Sequence, residues 1–128
     1  MIPFLFAASL NVTTPANVTP NRRNILTLKG AALLAGSSPG KYKISAHMPA
    51  SAENGGRLVG DPILSTKISP PVLRLRENKN RKFVANIPVG EGYSGPVYLC
   101  IISAEPPKKA VGITMVARSC YTRNVLPR

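Results

Sequence analysis

Few residues in this chain have the chemistry to act on a substrate. There is one histidine, His47; there are two cysteines, Cys100 and Cys120; and there are five acids, Glu53, Asp61, Glu77, Glu91 and Glu105. A zinc-type centre needs three or four converging ligands, and acid–base catalysis needs paired groups close together. The acids are scattered, and a lone histidine on the polar face of a strand reads as a solvated side chain. Gly90-Glu91-Gly92-Tyr93-Ser94-Gly95 has the glycines of a phosphate loop, but it precedes a strand and no helix, so it reads as a turn. The sequence points to no catalytic residue, no metal and no cofactor. It reads as a binding protein, not an enzyme.

The cysteines are read together with the start of the chain. Met1 to Leu10 is an apolar run followed by small residues, the shape of a signal peptide's end with a cleavage point near Ala8 or Ser9. The run is too short to span a bilayer. Residues 1–9 are accordingly expected to be a signal-peptide remnant and the protein to be exported; the alternative is a hydrophobic first strand. Export favours a disulfide between Cys100 and Cys120, both in segments of β character, over two separate buried thiols.

The elements that position these residues are strands. Thirteen Pro and ten Gly interrupt the 128 residues, which leaves room for short strands and none for long helices. Tyr42, Ile44, Ala46 and Met48 alternate with Lys43, Ser45 and His47. Leu73 and Leu75 alternate with Arg74 and Arg76, and Phe83, Ala85 and Ile87 share one face of the next run. Ile63 to Ile68 reads as a short strand, Gly30 as a bend or bulge, Val97 to Ile102 as a central strand, and Ala110 to Val125 as the last and longest. About seven strands at this spacing predict an all-β, immunoglobulin-like β-sandwich. Seventeen Lys and Arg against five acids give a formal charge of +12, a field that attracts anionic partners. Only Arg74 to Lys82 forms a cluster, and it carries no interleaved aromatics suited to stacking bases, so no nucleic acid is expected as a partner.

The run Ile68 to Leu75, Ile-Ser-Pro-Pro-Val-Leu-Arg-Leu, resembles the "TPP(V/L)xRL" corner of PapD-like pilus-assembly chaperones. Gly60-Asp61-Pro62-Ile63 before it, Asn78 to Ile87 after it, and then Val97-Tyr98-Leu99-Cys100-Ile101 with Pro106-Pro107 continue that family's order. The resemblance spans roughly Asn17 to Pro127. A cysteine at Cys100 paired with one near the end of the last strand is similar to the branch serving capsule-like fibres, where the two staple the last two strands. The resemblance implies residues 10–128 as the N-terminal chaperone domain, with the family's second domain absent, and a periplasmic location.

In that family the last strand completes an unfinished pilus subunit by β-augmentation. The resemblance therefore implies a periplasmic chaperone that caps pilus or fimbrial subunits for delivery to an outer-membrane usher. Its donor residues are Val111, Ile113, Met115 and Ala117; periodicity alone would place the same four in the domain's own core. It also implies a basic anchor for the subunit's C-terminal carboxylate, with Arg22 or Arg23 as the arginine. The register puts the anchor's lysine at Thr122, with Arg123 beside it. Self-association through the last strand is a further expectation. The alternatives are another secreted immunoglobulin-like adhesion or fibre domain and, less favoured, a basic nucleic-acid-binding β domain.

Overall fold

The structure, a computed structural model, describes residues 4–6, 8–34, 39–50, 59–76, 79–104, 114–116 and 118–127, with the backbone alone for 4–6 and 114–116. Among them every regular element is a strand: β1 (Phe4–Phe6), β2 (Ala8–Val12), β3 (Asn17–Val18), β4 (Ile25–Leu34), β5 (Gly40–Pro49), β6 (Val59–Pro62), β7 (Lys67–Ser69), β8 (Leu73–Leu75), β9 (Arg81–Pro88), β10 (Gly95–Ser103), β11 (Thr114–Val116) and β12 (Ser119–Val125).

Two sheets carry the core. The first runs β2-β4-β9-β7, antiparallel throughout. The second runs β3-β12-β10-β5-β6, with β8 also pairing β5. The order β2-β4-β9-β7 against β12-β10-β5 is the ABED and GFC arrangement of an immunoglobulin-like sandwich. These seven strands, the number expected, form the sandwich; the remaining five are short additions at corners and edges. The pair β1 and β11 forms a separate parallel ribbon.

The alternation seen in the sequence packs as expected. Leu26 and Leu28 of β4 and Phe83, Ala85 and Ile87 of β9 face Tyr42, Ile44 and Ala46 of β5 and Val97, Leu99 and Ile101 of β10 in one cluster. Leu73 and Leu75 close it from β8, and Val125 from β12. Each fully buried large aliphatic or aromatic side chain contributes on the order of 1.5–3 kcal/mol, so the facing rows hold the sheets together. The complementary residues Lys29, Lys43, Arg74, Lys82 and Asn86 are exposed.

Two of the chain's passages from one sheet to the other fall at proline. After β2 the N–H of Thr13 continues the first sheet by donating to the Lys29 carbonyl; Pro15 follows, and Ala16 already accepts from Asn124 N–H in the second sheet. After β7 the Ser69-Pro70 peptide is cis, and β8 emerges beside β5. Proline offers no N–H to a ladder, which makes both sites natural breaks.

Several expectations need correction. Ile63 to Ile68 is not one strand: β6 ends at Pro62, Leu64 and Ser65 form a turn, and β7 begins at Lys67. Within the described residues the last strand is divided, β11 pairing β1 and β12 pairing β10, with Arg118 outside both. His47 is buried rather than solvated; its Nε2 lies 2.7 Å from Ser45 Oγ and its Nδ1 3.1 Å from the Gly60 carbonyl oxygen. Ala8 and Leu10, within and beside the stretch read as a signal remnant, are strand residues buried in the core.

Gly30 is no bulge either. It holds regular register with Val12 on one side and Phe83 on the other. A Cβ there would overlap the Asn11 carbonyl oxygen and lie 2.9 Å from Val12 Cα, both backbone atoms that cannot swing aside. Gly30→Ala is expected to push β2 off β4 and cost about 1–3 kcal/mol, the usual range for overpacking, read as a lower urea midpoint.

Candidate functional site

The last strand is where sequence reasoning placed the activity, and its geometry starts from β10. Seven residue pairs, from Gly95↔Val125 to Ile101↔Ser119, align β12 antiparallel to β10. Cys100 and Cys120 are directly opposite, their Cα atoms 4.1 Å apart, and form the expected disulfide across 20 residues of chain. In the chain-entropy picture a loop of that size restricts the unfolded state by about 3 kcal/mol. The bridge fixes the register of β12 on the central strand and leaves its other edge to be considered.

That edge is covered only at its end. β3 pairs with Asn124 and Val125 alone. Because Asn124 N–H donates outward to Ala16, ladder alternation turns the N–H and C=O of Cys120 and Thr122 outward as well. Among the described residues no strand pairs with this stretch. Thr122 itself is exposed and sits opposite Tyr98.

Arg123 closes the gap between the sheets. Its Nε donates to the Thr14 carbonyl at 3.0 Å, one terminal nitrogen to the Val12 carbonyl at 2.8 Å, and the other to the Thr122 carbonyl at 2.8 Å. The guanidinium fork thus holds the β2–β3 crossover against β12, a role that needs several rigidly spaced donors. As an anchor for a partner's carboxylate it is already engaged by three backbone oxygens.

The other two anchor residues lie in the turn that enters β4. Asn21 Oδ1 accepts from the N–H of Arg23 (2.8 Å) and of Ile25 (3.0 Å), and Asn24 takes a positive φ of 59°. Both arginines are exposed but diverge. Arg22 lines a shallow groove with Asn24, Glu91 and Gly92; Arg23 lines another with Lys67, Thr27, Ser65 and Asn86. No hydrogen bond joins either one to Thr122 or Arg123 among the described residues. Of the donor residues, Met115 lies in β11, its backbone opposite Leu5. Val111, Ile113 and Ala117 lie outside the described residues.

Burial, with a smaller contribution from the neighbouring Tyr98, pushes the Tyr93 phenol up, so it stays protonated and donates to the Pro96 carbonyl at 2.7 Å. Among the described residues no three of His, Cys, Asp and Glu come together as metal ligands.

The chain matches no protein-family model, no curated protein and no solved structure.

Sequence reasoning missed the role of one residue here and the place of another. Arg123 was read for its charge, although what it serves is the crossover at Pro15. Lys67 had no motif to mark it, and only the pairing of β7 with β9 brings it beside Arg23. Arg123→Met keeps the apolar stem and removes the fork. It should cost about 1.5–3 kcal/mol in chemical denaturation, the range for hydrogen bonds to a charged group. Hydrogen exchange should report the loss first at Asn124 and Leu126, whose N–H groups bond β3 and the residue before it.

Proposed function

We propose that this protein is an exported chaperone that lends its last strand to an incomplete β-sheet partner, as pilus-assembly chaperones do for fimbrial subunits. The observation that carries the reading is the outer edge of β12 at Cys120, which no described strand pairs, on a strand stapled to β10 by the Cys100–Cys120 disulfide; at Thr122 the carbonyl is held by Arg123 and the N–H is directed outward. An edge of this kind is a template for another strand. Main-chain bonds supply affinity, while alternate side chains select the partner.

The preceding segment supplies the side chains. Val111, Ile113, Met115 and Ala117 alternate along it, and its described part, β11, is already extended. In this reading they fill the subunit's groove, and the subunit then passes to an outer-membrane usher. With Arg123 held at the crossover, Arg22 and Arg23 are the cations left to meet the subunit's terminal carboxylate. A periplasmic setting accords with the disulfide, since oxidising compartments preserve such bonds.

The test is the double substitution Ile113→Thr with Met115→Thr, assayed by co-purification with fimbrial subunits from a periplasmic fraction. Two apolar anchors, each worth roughly 1.5–3 kcal/mol, leave the groove, so capture should fall a hundredfold or more. The melting temperature of the isolated chain should stay unchanged. A large loss of stability would mean that the two side chains belong to the domain's own core, and the donor mechanism would have to be withdrawn.

A further inference from the structure

Among the described residues a run of bases lies away from the β12 edge, on the far side of β5. β8 pairs with the start of β5 so that Arg74 stands directly opposite Lys41. The chain then turns back on itself, and Arg76 stands opposite Lys79 in an isolated bridge. Like charges placed directly across a ladder destabilise it, and here two such pairs follow one another. Arg81 joins them, its Nε donating to the Arg74 carbonyl at 3.1 Å. Lys43, one step along the same face of β5, lines a groove with Lys41, Val72, Arg74 and Ala104. An adjoining groove, lined by Pro39, Gly40, Lys41, Arg74, Leu75 and Arg76, continues the strip.

The acids among the described residues are Asp61 on β6 and Glu91 in the turn before β10, and neither lines these grooves. Glu77, between Arg76 and Lys79, and Glu105, next after Ala104, lie outside the described residues; set against Lys43, Arg74, Arg76, Lys79 and Arg81 they leave the strip with a surplus of bases. Two exposed apolar side chains border the basic residues. Val72 is 37% exposed beside Arg74, and Ile102 is 36% exposed in register with Lys43. Neither groove has an aromatic lining on which a base could stack.

We infer that this corner docks the protein on an anionic lipid surface, the basic residues meeting headgroup phosphates and Val72 entering the boundary beneath them. Shallow grooves suit an extended surface better than an enclosed ligand, and cations bordered by apolar side chains match headgroups lying over hydrocarbon. Attraction to an anionic leaflet is worth about fivefold in partitioning for each base near it, so three bases amount to about a hundredfold.

Flotation with phosphatidylcholine vesicles, with and without phosphatidylglycerol, tests this. The full chain should float with the anionic vesicles only, and less as salt is raised. Arg74→Gln, Arg76→Gln and Lys79→Gln together should weaken partitioning about a hundredfold. Lys29→Gln, Lys67→Gln and Lys82→Gln remove the same charge from the exposed face of the first sheet and should weaken it far less. All six side chains are exposed, so thermal melts should match the parent; should the first set fail to fold, Lys43→Gln with Lys79→Gln replaces it. Val72→Ser, which keeps every charge, should reduce vesicle binding several-fold and leave retention on a sulfated-polymer column unchanged. Equal losses for the two charge-matched sets, equal binding to neutral vesicles, or no effect of Val72→Ser on vesicles would overturn the inference. The last of these, with retention on the sulfated polymer lost in the Arg74 set, would mark the strip as a site for soluble polyanions.

Discussion

The constraint on which the architecture rests is that one chain must serve two sheets, and two of its passages between them are set by prolines. At Pro15 the first strand leaves β4 and joins β12; at Ser69-Pro70-Pro71 the chain leaves β9 and joins β5. A residue without an N–H cannot continue a ladder, so pairing stops there and the chain is free to cross. Each crossing ties the sheets covalently along one flank. Between the flanks, the apolar rows of β4 and β9 meet those of β5 and β10. Arg123 matters for the same reason: three carbonyls turned out of their ladders at the first crossing and on β12 need donors, and one guanidinium supplies them.

The same crossings determine which edges remain available. β7 is three residues long, begins with an exposed lysine and runs into Pro70. β6 ends in exposed Asp61 and Pro62. Short length, charge and proline are the devices by which sheets discourage further pairing. β12 has no proline and spans seven residues, and β3 covers only its last two. Its position is also the most rigidly set, since the disulfide joins it to a central strand whose inward residues are fully buried. A fixed strand with an exposed edge loses little conformational freedom when another strand adds to it, which favours affinity.

How much of this the sequence disclosed follows from what alternation can encode. Period two reports which face of a strand is buried, and it did so for Tyr42, Ile44 and Ala46, for Leu73 and Leu75, and for Phe83, Ala85 and Ile87. It does not report the partner of a strand or where pairing stops. Ala110 to Val125 therefore read as one element, although the described part divides at Arg118 between two partners. His47 falls on the outward side by parity, yet a register shift between His47 and Pro49 lets β6 lie over it, so that Gly60 meets the ring. Gly30 read as a bend because glycine often marks one; its actual cause, the approach of the β2 backbone, involves residues nearly twenty positions away. The cysteine pairing was read from the signal-like start together with the β character of both segments, and the structure forms it. The anchor residues were not legible, since Arg22, Arg23 and Arg123 differ in role only through turns and crossings that no local pattern specifies.

The charge distribution adds a geometric relation between the two proposed surfaces. In the second sheet β12 and β8 flank β10 and β5, with β8 beside the start of β5. Neighbouring strands lie about 4.8 Å apart, so the open edge and the basic strip are separated by roughly 14 Å across the sheet. A partner strand added to β12 extends the sheet away from β8 and leaves Arg74, Arg76 and Lys79 uncovered. The arrangement allows a subunit and an anionic surface to be held at once, with the disulfide-linked strands as the rigid span between them. It also accounts for the tolerance of a like-charge pair, Arg74 opposite Lys41, on so short a strand. Leu73 and Leu75 are buried at 1% exposure each, and their burial offsets the modest repulsion across the ladder. The repulsion falls further when those side chains face an anionic surface instead of one another.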